Sequence, residues 1–182
     1  MKIYTKEEAL QHKDLIAAIK AGAVFVYPTD TIYGIGCDAT NSTAVRRIRT
    51  LKQRYDKPFS VIAPSKVWIT KNCIVPDSDV LDKLPGPYTL IVGVKHKEAI
   101  CAEVNNHMST LGVRIPAHWI AELVAAVDRP LVTTSVNISE KPYATTLEEL
   151  KQFPVDFIIY EGPKTGRPST IIDCFSREIK KR

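Results

Sequence analysis

Four stretches of this 182-residue sequence carry residue types and spacings suited to holding an anion. Pro28-Thr-Asp-Thr31 follows an apolar run, 23–27, and leads through Tyr33 into Gly34-Ile-Gly36. Ser135 and Asn137 follow a second run, Pro130-Leu-Val-Thr-Thr134, and Arg114 follows Leu111-Gly-Val113. Short hydroxyls and an amide can bond to ligand oxygens, and glycines let backbone N–H groups approach closely. Each cluster taken singly also fits a turn or a helix cap. Three strand ends of this kind, in a chain of net charge +5, point to a polyanion such as a nucleotide or phosphate. In open α/β sheets such ligands collect beyond the carboxyl ends of strands, so the sequence places the site there.

The fourth stretch is basic: Arg46, Arg47, Arg49, Lys52, Arg54 and Lys57 crowd into twelve residues. At 100° per residue, Ala44, Val45, Ile48 and Leu51 share an apolar face, which predicts Arg46 and Arg49 on the solvent side. Lys52 falls on the apolar side. An unpaired buried ammonium costs several kcal/mol, so Lys52 either extends its head to water or meets an anion in a cleft. Arg54, just past the helix end, has a planar fork suited to phosphate.

Other chemistries are excluded. Gly34-x-Gly36-x-x-Ala39 imitates a dinucleotide-binding turn, but residues 28–33 separate it from the preceding strand and the helix begins later. No G-x-x-x-x-G-K-[ST] occurs. Cys37, Cys73, Cys101 and Cys174 form no C-x-x-C pair and read as reduced thiols. His12, His96, His107 and His118 have no metal-ligand spacing, so no metal site is expected. No apolar run approaches the ~20 residues of a membrane span, and the charged N-terminus lacks a signal peptide's apolar centre. The reading is a cytoplasmic protein with no membrane attachment.

The elements that position these residues interleave. A capping box of Thr5 and Glu8 opens a helix to about residue 21, and Asn41 or Ser42 caps another to about 53. Further helices are predicted near 65–71, 78–84 and 117–127, and from a box of Thr145 with Glu148 to Phe153. Strands are predicted at 23–27, 59–63, 88–94, 111–115, 131–134, 156–160 and 170–173. Asp30 and Asp38 read as turn or cap residues. The class is α/β with a twisted, open, mixed sheet in one domain, 1–182.

Six segments, in order, resemble the YrdC family of threonylcarbamoyl-AMP synthases. They are 28–38 (PTDTIYGIGCD), Lys52-x-Arg54, Pro85-Gly-Pro87 with Thr89, Val113-Arg-Ile-Pro116 with His118, Thr134-Ser-Val-Asn137, and Ser169-Thr-Ile-Ile-Asp173. The resemblance covers about 22–173 and is to the short, single-domain form. It implies a twisted α/β fold with a concave basic cleft, and the conversion of L-threonine, bicarbonate and ATP to L-threonylcarbamoyl-adenylate and pyrophosphate. That product serves the threonylcarbamoyl modification of a tRNA adenosine, with other proteins making the final transfer. ATP is implied as substrate, with Mg2+ carried on its triphosphate.

Carried over residue by residue, the resemblance implies Thr29, Thr31, Arg114, Thr133 and Ser169 around threonine. It implies Lys52, Arg54, Thr110, Ser135, Asn137 and Arg182 around ATP, with Lys52, Arg54, Ser135 and Asn137 as the catalytic set. The chain departs from the pattern at Tyr55-Asp-Lys57-Pro58, at Ile62 where many members have histidine, at Val136, at Glu140 where glycine is common, and at the C-terminus. A glutamate at 140 would repel phosphates unless it faces outward. Two alternatives remain at this stage: a tRNA or double-stranded RNA binding module reading phosphates without bases, or a family paralogue with weak synthase activity and another substrate.

Overall fold

The computed structural model describes residues 1–181. In chain order the elements are β1 (Lys2–Tyr4), α1 (Lys6–Gln11), α2 (Lys13–Lys20), β2 (Phe25–Tyr27), β3 (Gly34–Gly36), α3 (Ser42–Lys52), β4 (Ser60–Ile62), α4 (Lys66–Asn72) and β5 (Cys73–Ile74). They continue with β6 (Tyr88–Val94), α5 (Ala102–Asn105), β7 (Thr110–Arg114), α6 (Ile120–Val127), β8 (Leu131–Ser135), α7 (Leu147–Leu150), β9 (Phe157–Ile159), β10 (Thr170–Asp173) and β11 (Ile179–Lys180). Short 3-10 turns cover Ser78–Lys83 and Lys97–Ala99.

The strands join in the order β1-β9-β2-β3-β8-β4-β7-β6-β10-β11, with β5 added on β6. The sheet is mixed: β9 runs parallel to β1 and β2, β4 to β7, and β6 to β10, while the other pairs are antiparallel. Alternation along β2 divides the core. Val24 and Val26 join α3 in one apolar cluster; Phe25 and Tyr27 join α2 and α6 in the other. A strand covered on both faces reads as a continuous apolar run, as 23–27 does.

β3 was missing from the sequence reading because its glycines carry no side-chain pattern. The structure explains them. A Cβ on Gly36 would sit 2.0 Å from the Val132 carbonyl oxygen, and one on Gly34 would sit 3.0 Å from the Tyr27 ring. Glycine therefore lets β2 and β8 close on β3 from both sides.

Three expected elements are corrected. The first helix is two, broken at an extended His12 whose ring packs edge-on against Tyr4 at 5.7 Å. The second capping box lies one residue later, Thr146 with Glu149, because Glu149 collects the N–H groups of both Thr145 and Thr146. Its helix stops at Leu150. The helix expected from 117 starts only at Ile120, since residues 117–119 are spent on side-chain contacts to Asp30 and Glu161.

Candidate active site

Strand register builds the floor of the main cavity. Ser60 lies opposite both Gly112 and Thr133, and Gly34 opposite Ser135. Residues directly opposite share a face, and so do residues two apart. Ser60, Gly112, Arg114, Thr133 and Ser135 therefore face the same way. A Cβ on Gly112 would fall 2.3 Å from the Ser60 hydroxyl and 3.3 Å from the Thr89 methyl, so glycine keeps this floor open.

Around it lie Thr29 and Thr31 from the loop before β3, Arg54 and Pro58 from the segment after α3, Tyr143, and Ser169 at the head of β10. The cavity encloses about 670 Å³ of space, part of it open to solvent. Two arginines and no carboxylate line it among the described residues. The site spreads over a face of the sheet and takes in the three strand ends singled out in the sequence: Thr29 and Thr31 after β2, Arg114 at the end of β7 and Ser135 at the end of β8.

Pro28-Thr-Asp-Thr31 is a turn closed by its own side chains. The Thr29 hydroxyl donates to the Ile32 carbonyl at 2.7 Å, accepts from the Thr31 N–H at 3.1 Å and meets the Thr31 hydroxyl at 3.0 Å. The turn delivers Thr31 to Arg114, whose Nη1 donates to the Thr31 Oγ1 at 3.4 Å. Arg114 is 5% exposed. Its Nη2 donates to Asp30 Oδ1, while its Nε is buried without a hydrogen-bond partner. Burial pulls the guanidinium below the ordinary arginine range, and the Asp30 carboxylate opposes that shift. Asp30 thus lies in the turn, as read from the sequence, and is also an ion-pair partner at the site. Asp38 caps its own turn, accepting from the Thr40 N–H and hydroxyl, and also pairs with Arg129 at 2.6 Å.

Lys52 resolves differently from either expectation. It is 1% exposed, and its Nζ donates to the Ser135 carbonyl at 2.5 Å, the Asn137 carbonyl at 2.8 Å and the Asn137 Oδ1 at 2.8 Å. All three ammonium protons are committed. The Ser139 N–H returns to the Lys52 carbonyl at 2.9 Å, and Ser135 Oγ donates to Asn137 Oδ1 at 2.6 Å. Lys52 and Asn137 stand behind the cavity and fix Ser135, which lines it.

Burial first, then the nearby Arg54 charge, pulls the Lys52 ammonium down from 10.5 to about 7. An unfolded lysine keeps its proton well above that value, so between pH 7 and 10.5 the unfolded chain binds more protons. Stability then rises with pH in this window. The thiols of Cys37, Cys73 and Cys101 and the phenols of Tyr27 and Tyr33, all raised by burial, work in the opposite sense once their unfolded forms ionise, above about 8.5 for thiols. The Lys52 contribution is therefore isolated between pH 7 and about 8.5, where it amounts to about 1–2 kcal/mol. Lys52→Met is expected to flatten that rise in urea-unfolding free energy; an unchanged slope would contradict the shift.

Arg54 lies over the Phe59 ring at 5.2 Å, and its Nη2 donates to the Pro58 carbonyl at 2.6 Å. Ser169 and Thr89 share a hydrogen bond between their hydroxyls at 2.7 Å, both buried. Thr110 stands apart: it opens β7, four residues before Arg114, and does not line the cavity. Arg182 lies outside the described residues. Glu140 is exposed and ion-paired with Lys57 at 2.8 Å, so the departure from glycine points outward. The Lys57 partner holds its carboxyl below the usual range.

Arg49 overturns the helical-wheel expectation. It is 6% exposed, and it donates to the carbonyls of Glu103 (2.6 and 2.9 Å), Arg54 (2.9 Å), Tyr55 and Lys57 (both 3.2 Å). Sequence reasoning also passed over Ser60 and Tyr143. Ser60 was legible as the polar start of a strand. Tyr143, whose hydroxyl donates to the Gly166 carbonyl at 2.9 Å, sits in a loop with no periodic signal.

No cluster of His, Cys, Asp and Glu able to hold a metal occurs among the described residues. No helix among them is long and apolar enough to cross a membrane.

The family model Sua5/YciO/YrdC, described as "Telomere recombination", matches residues 17–181. A putative threonylcarbamoyl-AMP synthase of Methanocaldococcus jannaschii is 37% identical over 184 residues, covering 94% of this chain and 86% of the relative. The human threonylcarbamoyl-AMP synthase is 33% identical over 156 residues, covering 83% of this chain and 55% of the relative. The crystal structure of P. abyssi Sua5 complexed with L-threonine superposes with a TM-score of 0.81 at 27% identity, covering 94% of this chain and 53% of that one. E. coli YciO, at 23% identity and a TM-score of 0.79, shares the fold. The chain spans about half the length of the human and P. abyssi proteins. With nearly its whole length matched by one family model and by relatives above 30% identity, the chain belongs to the Sua5/YciO/YrdC family.

Proposed function

We propose that this chain, acting as one domain, is a threonylcarbamoyl-AMP synthase that joins L-threonine, bicarbonate and ATP. The observation that carries the reading is Arg114: a buried guanidinium, paired with Asp30 through Nη2 and with only a long Nη1 contact to Thr31, among hydroxyls in a cavity that no carboxylate lines among the described residues. Such a group in a low-dielectric site is a receptor for a carboxylate. The P. abyssi relative is a complex with L-threonine, which agrees with this.

In the reaction the threonine amine adds to bicarbonate, water leaves, and a carbamate forms. A carbamate oxygen then attacks the α-phosphorus of ATP, and pyrophosphate departs with the electron pair of the broken P–O bond. No protein group becomes covalently bound, so catalysis is positioning and charge neutralisation. Arg114 holds the threonine carboxylate, with the Thr31, Thr133 and Ser169 hydroxyls beside it. Thr29 shapes the turn. Arg54 and the Ser135 hydroxyl face the phosphates, with Lys52 and Asn137 fixing Ser135 from behind. Among the described residues no carboxylate lines the cavity to hold a magnesium ion, and Asp30 is already spent on Arg114 and Ala117. Magnesium would enter on the triphosphate, held by phosphate oxygens.

The product is a mixed anhydride, which fits a cytoplasmic tRNA-modifying step completed by other proteins. An RNA-binding module is disfavoured by the helix surface: the exposed Arg46 and Arg47 are paired with Glu103 at 2.9 Å and Asp156 at 2.6 Å. The test is incubation with labelled bicarbonate, threonine and ATP. The expected result is an acid-labile labelled adenylate and pyrophosphate, each requiring all three reactants. Pyrophosphate release that ignores threonine would overturn the reading.

A further inference from the structure

We infer that Asp30 is a positioning residue for the substrate carboxylate, acting through Arg114. The inference rests on the synthase reading. Asp30 is fixed at both carboxylate oxygens: Oδ1 accepts from Arg114 Nη2, and Oδ2 accepts from the Ala117 N–H at 3.0 Å. Its side chain is 10% exposed and that of Arg114 is 6% exposed. Through these two contacts Asp30 joins the turn before β3 to the end of β7 and to the loop that follows it.

Two roles are open to a carboxylate in this place, and they predict opposite signs. Asp30 could stand in for the ligand, occupying Arg114 until threonine displaces it. Removing the charge would then tighten threonine binding. Alternatively Asp30 is a permanent second partner that holds the guanidinium in register while threonine takes the remaining donors. Removing the charge would then weaken binding.

The geometry points to the second role. The Ala117 N–H ties Asp30 to the protein frame, so it is not free to swing away. Meanwhile the Arg114 Nε has no partner and the Nη1 bond to Thr31 is long, at 3.4 Å. Nε is buried away from the cavity, so Nη1, with only that long contact, is the donor a second carboxylate would take. The frame around Ala117 is itself tied down. His118 Nε2 donates to Glu161 at 2.9 Å and Trp119 Nε1 donates to the same side chain at 2.7 Å. Lys164 joins Glu161 at 2.6 Å. His118 Nδ1 accepts from the Ile120 N–H at 3.3 Å, which leaves the ring proton on Nε2 facing Glu161. Asp30 thus carries the rigidity of this loop to the guanidinium.

Two variants test the inference. Asp30→Asn keeps an oxygen for the Ala117 N–H and removes the charge. Asp30→Ala leaves a gap that formate can fill. Threonine binding is read by calorimetry, and KM for threonine and kcat by pyrophosphate release. The expected result for Asp30→Asn is at least a tenfold loss of threonine affinity, seen mainly in KM, with the fold retained. For Asp30→Ala, formate is expected to recover threonine affinity, and acetate less so. A merely structural turn residue would show no recovery with formate. Equal or tighter threonine binding by Asp30→Asn overturns the inference and leaves the synthase reading standing. Failure of the wild-type chain to bind threonine overturns both.

Discussion

Arg114→Ala is expected to lower threonine-dependent pyrophosphate release by more than a hundredfold. The estimate follows from what the side chain does. A charge-assisted contact to a carboxylate in a buried site is worth about 3–5 kcal/mol when one partner is truncated. At 1.36 kcal/mol per decade this is roughly 10² to 10³·⁷ in kcat/KM. The substitution also strands Asp30, 10% exposed, with only the Ala117 N–H as partner. Some loss of stability is therefore expected alongside the loss of turnover, and Arg114→Lys separates the two. Lysine keeps a charge near Asp30 but brings neither the reach nor the planar fork that meets Asp30, Thr31 and a ligand together. The expected result for Arg114→Lys is a folded protein whose urea midpoint lies near wild type and whose threonine dependence is lost. Turnover within tenfold of wild type in both variants would remove Arg114 from the site.

Most of this cavity was legible in the sequence because its residues announce themselves by type. Thr31, Arg54 and Ser135 are polar groups at strand ends or just past a helix, where solvent or a ligand must receive them; Thr133, inside β8, and Ser169 came only with the family resemblance. What the sequence hid was direction. A helical wheel fixes a side chain's angle but not what lies beyond its tip. Arg49 lies on the flank of α3 where the chain doubles back through residues 54–58 and meets α5, so a solvent-facing angle became a buried one. Lys52 sat on the apolar side as periodicity required, but its acceptors are carbonyls more than eighty positions away, invisible to any local rule. Asp30 has the composition of a turn and makes the contacts of an ion pair, because its partner arrives from another strand. The strands Gly34–Gly36 and Cys73–Ile74 are too short for period two to register.

The second large effect concerns stability and belongs to Arg49. Its guanidinium has no carboxylate within hydrogen-bond reach among the described residues; it is held by backbone carbonyls of Glu103, Arg54, Tyr55 and Lys57, and lies 4.6 Å over the Phe59 ring. Five donors in a rigid fork satisfy carbonyls from two segments at once, which no other side chain can do. Arg49→Met fills similar volume but orphans those acceptors. Each buried unsatisfied group costs about 1–3 kcal/mol, and water reaching the rim recovers part of it, so the net expectation is about 3–5 kcal/mol. Arg49→Lys should recover less than half, since three donors on one nitrogen cannot span both segments. By contrast Arg46→Ala, three residues away on the same helix, removes an exposed pair with Glu103 and should cost less than about 1 kcal/mol. Urea unfolding of the three variants decides it. The consequence reaches the site, because Arg54 and Pro58 line the cavity and hang from the same carbonyl cluster. On the proposed function, releasing residues 54–58 is expected to raise KM for ATP more than KM for threonine, whose proposed partners Arg114, Thr133 and Thr31 lie on β7, β8 and the turn before β3. Equal stability of Arg49→Met and Arg46→Ala would mean that the buried fork is held by water as readily as by arginine, and that the segment carrying Arg54 stands without it.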